Sequence, residues 1–203
     1  MLRIFLIRHG ETEWNKNGRL QGNSDVKLSA EGIRQARLLA EHAILPAVDV
    51  IYSSDLSRAF DTAKILAAKF NLPVTKTPAL REINFGDWEG QSISELAKEH
   101  PKSFGRFFTA PEHCHPPHGE TFLEAQARVM NVLRDIIAKH DNRNVAIVAH
   151  GAVNRLIIGA ALDMPIHKMW AISQFNTALN ILRVEDGGFV VELINSTAHL
   201  HNT

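Results

Sequence analysis

The chain has 203 residues, 45% of them hydrophobic, and its 22 Lys and Arg are matched by 22 Asp and Glu, so its formal charge is zero with every His neutral. That balance argues against a nucleic-acid or anionic-membrane surface, which needs a clustered basic excess, and the hydrophobic share excludes a disordered or collagen-like chain. The longest apolar stretches, such as Leu156 to Leu162, fall far short of the roughly 18 residues of a membrane span, and MLRIFLIRHGE at the start runs straight into charge, unlike a signal peptide. The lone Cys114 allows neither an internal disulfide nor a CxxC site and fits a cytoplasmic protein. His is the unusual count, at 11.

Leu2 to Ile7 reads as a buried strand ending abruptly in Arg-His-Gly. Ser29 is placed to cap a helix through about His42, with Ile33, Ala36, Leu39 and Ala40 at helical spacing. Val48 to Ser53 reads as a second strand, Asp55 opens a helix to about Phe70, and Pro73 and Pro78 bracket a third strand. From Ala79 to His118 the pattern is irregular, with short helical pieces broken by Pro101, Pro111, Pro116 and Pro117. A long amphipathic helix follows Gly119, with Phe122, Ala125, Val129, Leu133, Ile136 and Ile137 on one face. Asn144 to Ala149 is a fourth strand ending in Ala-His-Gly, and Gly151 leads into a helix to about Leu162. Ala178 to Glu185 and Gly188 to Asn195 flank Asp186-Gly187 as a hairpin. No repeat or linker divides the chain, so 1–203 reads as one domain. The alternation implies an α/β sandwich with a mostly parallel sheet and at least one antiparallel strand. Such sheets bind ligands beyond the carboxyl ends of their strands, where both His-Gly pairs fall.

In LIRHGETEWN, Leu6 to Asn15, Arg8 and His9 leave a buried strand just before Gly10, which permits a sharp turn and close ligand approach. In IVAHGAVNR, Ile147 to Arg155, His150 leaves another strand and Gly151 starts a helix whose free N–H groups form an anion site. Two imidazoles, an Arg and free amides make a basic pocket in a neutral protein, and phosphate is the expected guest. Arg58, a turn into the second helix, is a further clamp, unless it only forms a surface pair with Asp55 or Asp61. Glu82 precedes Ile83, Phe85 and Trp88, and a carboxyl among apolar neighbours can stay protonated as a general acid requires.

These four elements, in this order from about Leu2 to Asn195, resemble the histidine phosphatase superfamily, also called phosphoglycerate mutase-like proteins. The resemblance implies a three-layer α/β/α sandwich and a phosphoryl-transfer enzyme. It implies that His9 is the nucleophile that becomes phosphohistidine, that Arg8, Arg58 and His150 bind phosphate, and that Glu82 is the acid. Asn15 matches a further polar residue that often faces the phosphate, and Gln21-Gly22 falls where family members bring backbone near the pocket. The family also places a variable, substrate-facing insertion between the acid and the long helix, here about 83–118. The physical reading agrees: neutral His9 attacks phosphorus, Glu82 protonates the leaving alkoxide, and Arg8, Arg58 and a protonated His150 neutralise the phosphoryl oxygens without metal or cofactor.

HCHPPH, His113 to His118, lacks the usual zinc spacing and reads as a loop at the pocket mouth. The chain has no GxSxG, GxxxxGK(S/T), HExxH or GxGxxG. The expected activity is hydrolysis of a small phosphomonoester, with phosphoserine, α-ribazole 5′-phosphate and sugar phosphates as possible substrates. The alternatives are a cofactor-dependent phosphoglycerate mutase and a catalytically silent phospho-ligand binder. Retention of both His9 and Glu82 favours an enzyme over a binder. A phosphatase is favoured over a mutase because Ile83 to His118 offers only Lys98, Lys102 and Arg106 as permanent cations for a second anionic group. Phe85, Trp88, Phe104, Phe107 and Phe108 in that stretch suit a pocket wall or core. Monomer and homodimer both remain open.

Overall fold

A strand as apolar as β1 (Leu2–Arg8) belongs inside a sheet covered on both faces, and the computed structural model, which describes residues 1–201, places it there. There follow α1 (Glu13–Lys16), α2 (Ala30–His42), β2 (Val50–Ser53), α3 (Ser57–Phe70) and β3 (Val74–Lys76). The irregular stretch holds α4 (Ile93–Glu99) and α5 (Pro101–Thr109), and then come α6 (Phe122–Lys139), β4 (Asn144–Ala149), α7 (Gly151–Ala161), β5 (Leu179–Glu185) and β6 (Gly188–Ser196). The six strands form one sheet in the order β3-β2-β4-β1-β5-β6. β3, β2, β4 and β1 run parallel, and β5 is antiparallel to both β1 and β6. Asp186 and Gly187, with φ of 47° and 79°, supply the two left-handed residues that a tight β5–β6 turn requires.

Strand alternation divides the core into two layers. Phe5, Ile7, Ala146 and Val148 pack with Leu39 and Ala40 of α2 and Ala59, Ala63 and Leu66 of α3. Leu2, Ile4, Leu6, Val145 and Ile147 pack instead with α6 and α7. The result is the expected three-layer sandwich. Thr121 caps α6 through a capping box with Glu124, and Phe122, Ala125, Val129, Leu133 and Ile136 are buried as the spacing predicts, with Ile137 only partly so.

Three local expectations are corrected. Ile33 is 36% exposed, and Leu38 takes the buried place in α2. β2 starts at Val50, although Val48 does enter the core. Asp55 does not start α3: the helix begins at Ser57, and both Asp55 oxygens are held by Arg81 at 2.7 and 2.6 Å.

β1 and β4 are neighbours, with Arg8 beside Ala149 in register, so the fold delivers His9 and His150 side by side. The turn after His9 is seated on the first turn of α2. A Cβ on Gly10 would lie 2.4 Å from Gly32 O, and one on Gly32 would lie 2.0 Å from Glu11 O. Gly10 and Gly32 therefore serve a backbone-to-backbone approach. Gly→Ala in a helix ordinarily stabilises by about 0.5–1 kcal/mol. Gly32→Ala should instead destabilise, by about 1–3 kcal/mol, as a lower urea midpoint; a raised midpoint would refute this close-packed seat.

Candidate active site

His9 N donates to Ala149 O at 3.1 Å, which fixes the start of the turn. The His9 and His150 rings stand with centroids 5.2 Å apart. His9 Nδ1 lies 2.7 Å from Gly10 O. A carbonyl only accepts, so Nδ1 carries the hydrogen and Nε2 keeps its lone pair in the neutral ring. Burial, and then the nearby Arg58 and Arg8 charges, hold His9 well below the ordinary imidazole range. Burial, Arg58, His9 and Arg8 do the same to His150. Burial and these charges thus favour a neutral His150. His150 is fully buried beside His9.

Arg58 is 1% exposed and donates to Ser24 O at 2.8 Å and Gly22 O at 2.7 Å. The surface pairing weighed for it does not form, because Asp55 holds Arg81 and Asp61 holds Lys64. Glu89, which sequence reasoning left without a role, accepts from Asn23 N and Ser24 N at 2.8 Å each and from Ser24 Oγ at 2.7 Å, so it shapes the loop that anchors Arg58. Gly22 within that loop has φ of 52°, and a Cβ there would strike Glu89. Arg8 donates through Nη1 to Gln174 O. Burial draws both guanidinium groups down to about 10, which leaves them cationic at neutral pH. Arg8 Nε, Arg58 Nε and both ring nitrogens of His150 are buried with no hydrogen-bond partner among the described residues. Buried polar atoms are rarely left so.

Glu82 departs from its expected setting. Ile83, Phe85 and Trp88 are in the core, but the Glu82 carboxylate reaches the start of α7 and accepts from Ala152 N, Val153 N and Ile83 N, each at 3.1 Å. It acts as the side-chain cap that His150 does not provide. Arg128 of α6 positions this loop by donating to Ala79 O at 2.8 Å and Arg81 O at 3.0 Å, and by pairing with Glu120. Asn15 accepts at Oδ1 from Thr12 N at 3.1 Å, and Gln21 accepts from Thr12 Oγ1 at 3.0 Å.

Arg8, His9, Asn15, Gln21, Gly22, Arg58, Glu82 and Gly151 share the wall of one cleft of about 210 Å³. That is below the roughly 300–1,000 Å³ typical of drug-sized ligands, so the cleft suits a small molecule. Phe85, Phe107 and Phe108 line it, whereas Trp88 and Phe104 are 1% exposed core residues. Lys98, Lys102 and Arg106 are exposed and off the cleft wall. A further cation on the cleft wall is Arg155 of α7, which lies 5.2 Å from the centroid of the Trp170 ring, and Trp170 lines the cleft as well. In HCHPPH, Cys114 is buried and its thiol pushed up to about 11, while His118 turns outward to Asp87 at 3.0 Å. Among the described residues no three His, Cys, Asp or Glu side chains converge as a metal site.

The buried histidines link stability to pH. Burial also pushes His199 down to about 4. When the chain unfolds, His9, His150 and His199 regain an ordinary value near 6.5, so below that pH the unfolded chain binds protons that the folded chain does not. Stability should therefore fall as pH drops from about 6.5, by up to roughly 1.4 kcal/mol per pH unit for each buried His. His150→Asn should flatten the slope of Tm between about pH 7 and pH 5; an unchanged slope would contradict the neutral, buried state of His150.

The comparisons with known proteins agree with this geometry. The model of the histidine phosphatase superfamily (branch 1) matches residues 4–197. "Phosphoserine phosphatase 1" of Hydrogenobacter thermophilus is 34% identical, with 98% of this chain and 95% of that one covered. "Probable phosphoglycerate mutase GpmB" of Yersinia pestis is 33% identical over the same shares. A phosphoserine phosphatase variant from Entamoeba histolytica, solved in complex with phosphoserine, is similar with a TM-score of 0.90 at 32% identity, covering 98% of this chain and 100% of that one. Since the family model spans nearly the whole chain and these relatives match it end to end, the chain belongs to the histidine phosphatase superfamily, branch 1.

Proposed function

We propose that the protein is a metal-independent phosphomonoesterase of small phosphorylated metabolites that works through a phosphohistidine on His9. The observation that carries this reading is the set of unpartnered buried nitrogens on Arg8, Arg58 and His150 around a His9 whose Nε2 lone pair is free. A tetrahedral dianion can accept from Arg8 Nε, Arg58 Nε and one ring nitrogen of His150, and so bring phosphorus to Nε2 of His9. The enzyme is a phosphatase of its superfamily, a reading supported by relatives named for phosphoserine hydrolysis.

His9 Nε2 forms the P–N bond as the P–O bond to the alcohol breaks, and Glu82 supplies that oxygen's proton. A water then attacks phosphorus, Glu82 takes its proton, and the P–N bond breaks to release phosphate and neutral His9. The phosphate dianion favours a proton on His150, which then donates to a phosphoryl oxygen. Each role falls to a side chain of this protein, so no metal or cofactor is used. The cleft wall includes the exposed Ile93 and Phe108, at 41% and 45%, so the cleft mouth borders solvent, which supports hydrolysis over mutase transfer. The small cleft favours phosphoserine or a small sugar phosphate over α-ribazole 5′-phosphate. Among the described residues no helix is long and apolar enough to cross a membrane, and the buried, unpaired Cys114 fits a cytoplasmic setting.

Glu82→Gln should slow alkyl phosphates by about 10²- to 10⁴-fold, and p-nitrophenyl phosphate, whose leaving group scarcely needs a proton, far less. Wild-type rates should survive excess EDTA. Equal loss on both substrate types would remove Glu82 from the acid role, and activity lost to EDTA and restored by a metal would overturn metal independence.

A further inference from the structure

The cleft carries more positive charge than a phosphoryl group uses. Arg8, Arg19, Arg58 and Arg155 stand on its wall with Glu82 as the one carboxylate. Arg8 and Arg58 border His9, and their orphaned Nε atoms are taken up by the phosphate. Arg19 is exposed at the rim, where water and salt screen its charge. Arg155 is half-buried and firmly oriented. Its Nε donates to Ile172 O at 2.7 Å, its Nη1 donates to Gly151 O at 3.0 Å, and its Cζ lies over the Trp170 ring. Those contacts fix the guanidinium plane without neutralising it, and Nη2 makes no hydrogen bond to any described residue. A point one bond out from the Gly151 Cα lies 3.3 Å from Arg155 Nη1 and 3.4 Å from Arg8 Nε. Arg155 is thus the next donor along the cleft from the phosphate groups.

Resting on the phosphomonoesterase reading above, we propose that Arg155 is the subsite for a carboxylate on the alcohol part of the substrate. The preferred substrates are then small phosphomonoesters that bear a carboxylate close to the ester oxygen. Charge supports the assignment. When Glu82 holds the proton it must donate, a phosphate dianion is met by Arg8, Arg58 and a protonated His150, and Arg155 is the further cleft arginine that is not exposed. Guanidinium geometry matches a carboxylate, and a second group one or two bonds from the ester keeps the ligand within the small cleft. The role that the 83–118 segment cannot fill, because its cations point elsewhere, passes to α7.

Phosphoserine and phosphoethanolamine share a phosphoester and an ammonium and differ in the carboxylate. Wild-type kcat/KM should favour phosphoserine by about 10- to 100-fold, the worth of a charge-assisted contact. In Arg155→Met the ratio should collapse towards unity, and Arg155→Lys, which keeps the charge but not the fork, should fall between. A wild-type ratio near unity would overturn the subsite without recourse to any variant. So would an equal loss on both substrates and on p-nitrophenyl phosphate in Arg155→Met, which would make Arg155 a phosphate ligand. Failure of the underlying reading would show separately, as wild-type enzyme that turns over none of the three, and would overturn both.

Discussion

The burial of Arg8 and Arg58 beside two histidines is the constraint on which the rest of the site depends. Taking a guanidinium out of water costs several kcal/mol unless its donors are met. Here backbone carbonyls meet part of that need: Gln174 O for Arg8, and Ser24 O and Gly22 O for Arg58. The carbonyls come from loops that must themselves be held, which is the task of Glu89 beneath the Gly22–Ser24 turn. The carbonyls leave Arg8 Nε and Arg58 Nε unmet among the described residues, and the proposed function gives these to the phosphate. The same charges, together with burial, hold His9 and His150 well below the ordinary imidazole range, so under the proposed function the electrostatics that attract phosphate also preserve the lone pair on His9.

Glu82 shows how one side chain joins architecture to chemistry. Its carboxylate caps α7 through Ala152 N and Val153 N, and the same helix begins at the ligand-facing Gly151 and carries Arg155 one turn later. Arg128 holds the Glu82 loop from behind through the Ala79 and Arg81 carbonyls, which ties the acid to the long helix α6.

Local signals were legible in the sequence and distant ones were not. The apolar runs of β1 and β4 predict strands, each followed by a His-Gly pair, and the parallel register of those strands brings the two imidazoles together. The 3.6-residue pattern of α6 and the Asp186-Gly187 turn are equally local. The setting of Glu82 was misjudged because its neighbours in sequence are apolar while its partners in space lie on α7. Glu89 and Trp170 carry no local mark of their role: one acts through the backbone of Asn23 and Ser24, the other through Arg155. The one sequence signal for Arg155 is that it stands as the single permanent cation of IVAHGAVNR, a stretch without a carboxylate, one turn after the second His-Gly pair.

The central claim is that His9 accepts the phosphoryl group at Nε2, the nitrogen left free by the Nδ1 contact to Gly10 O. Its most direct test is rapid quenching of the enzyme during turnover of a labelled phosphomonoester into alkali, where phosphohistidine survives, followed by peptide mapping and assignment of the modified nitrogen. The account requires acid-labile label on Nε2 of His9. Label on Nδ1, label on another residue, or turnover without any phosphoenzyme under conditions that trap one in a related phosphatase would contradict it.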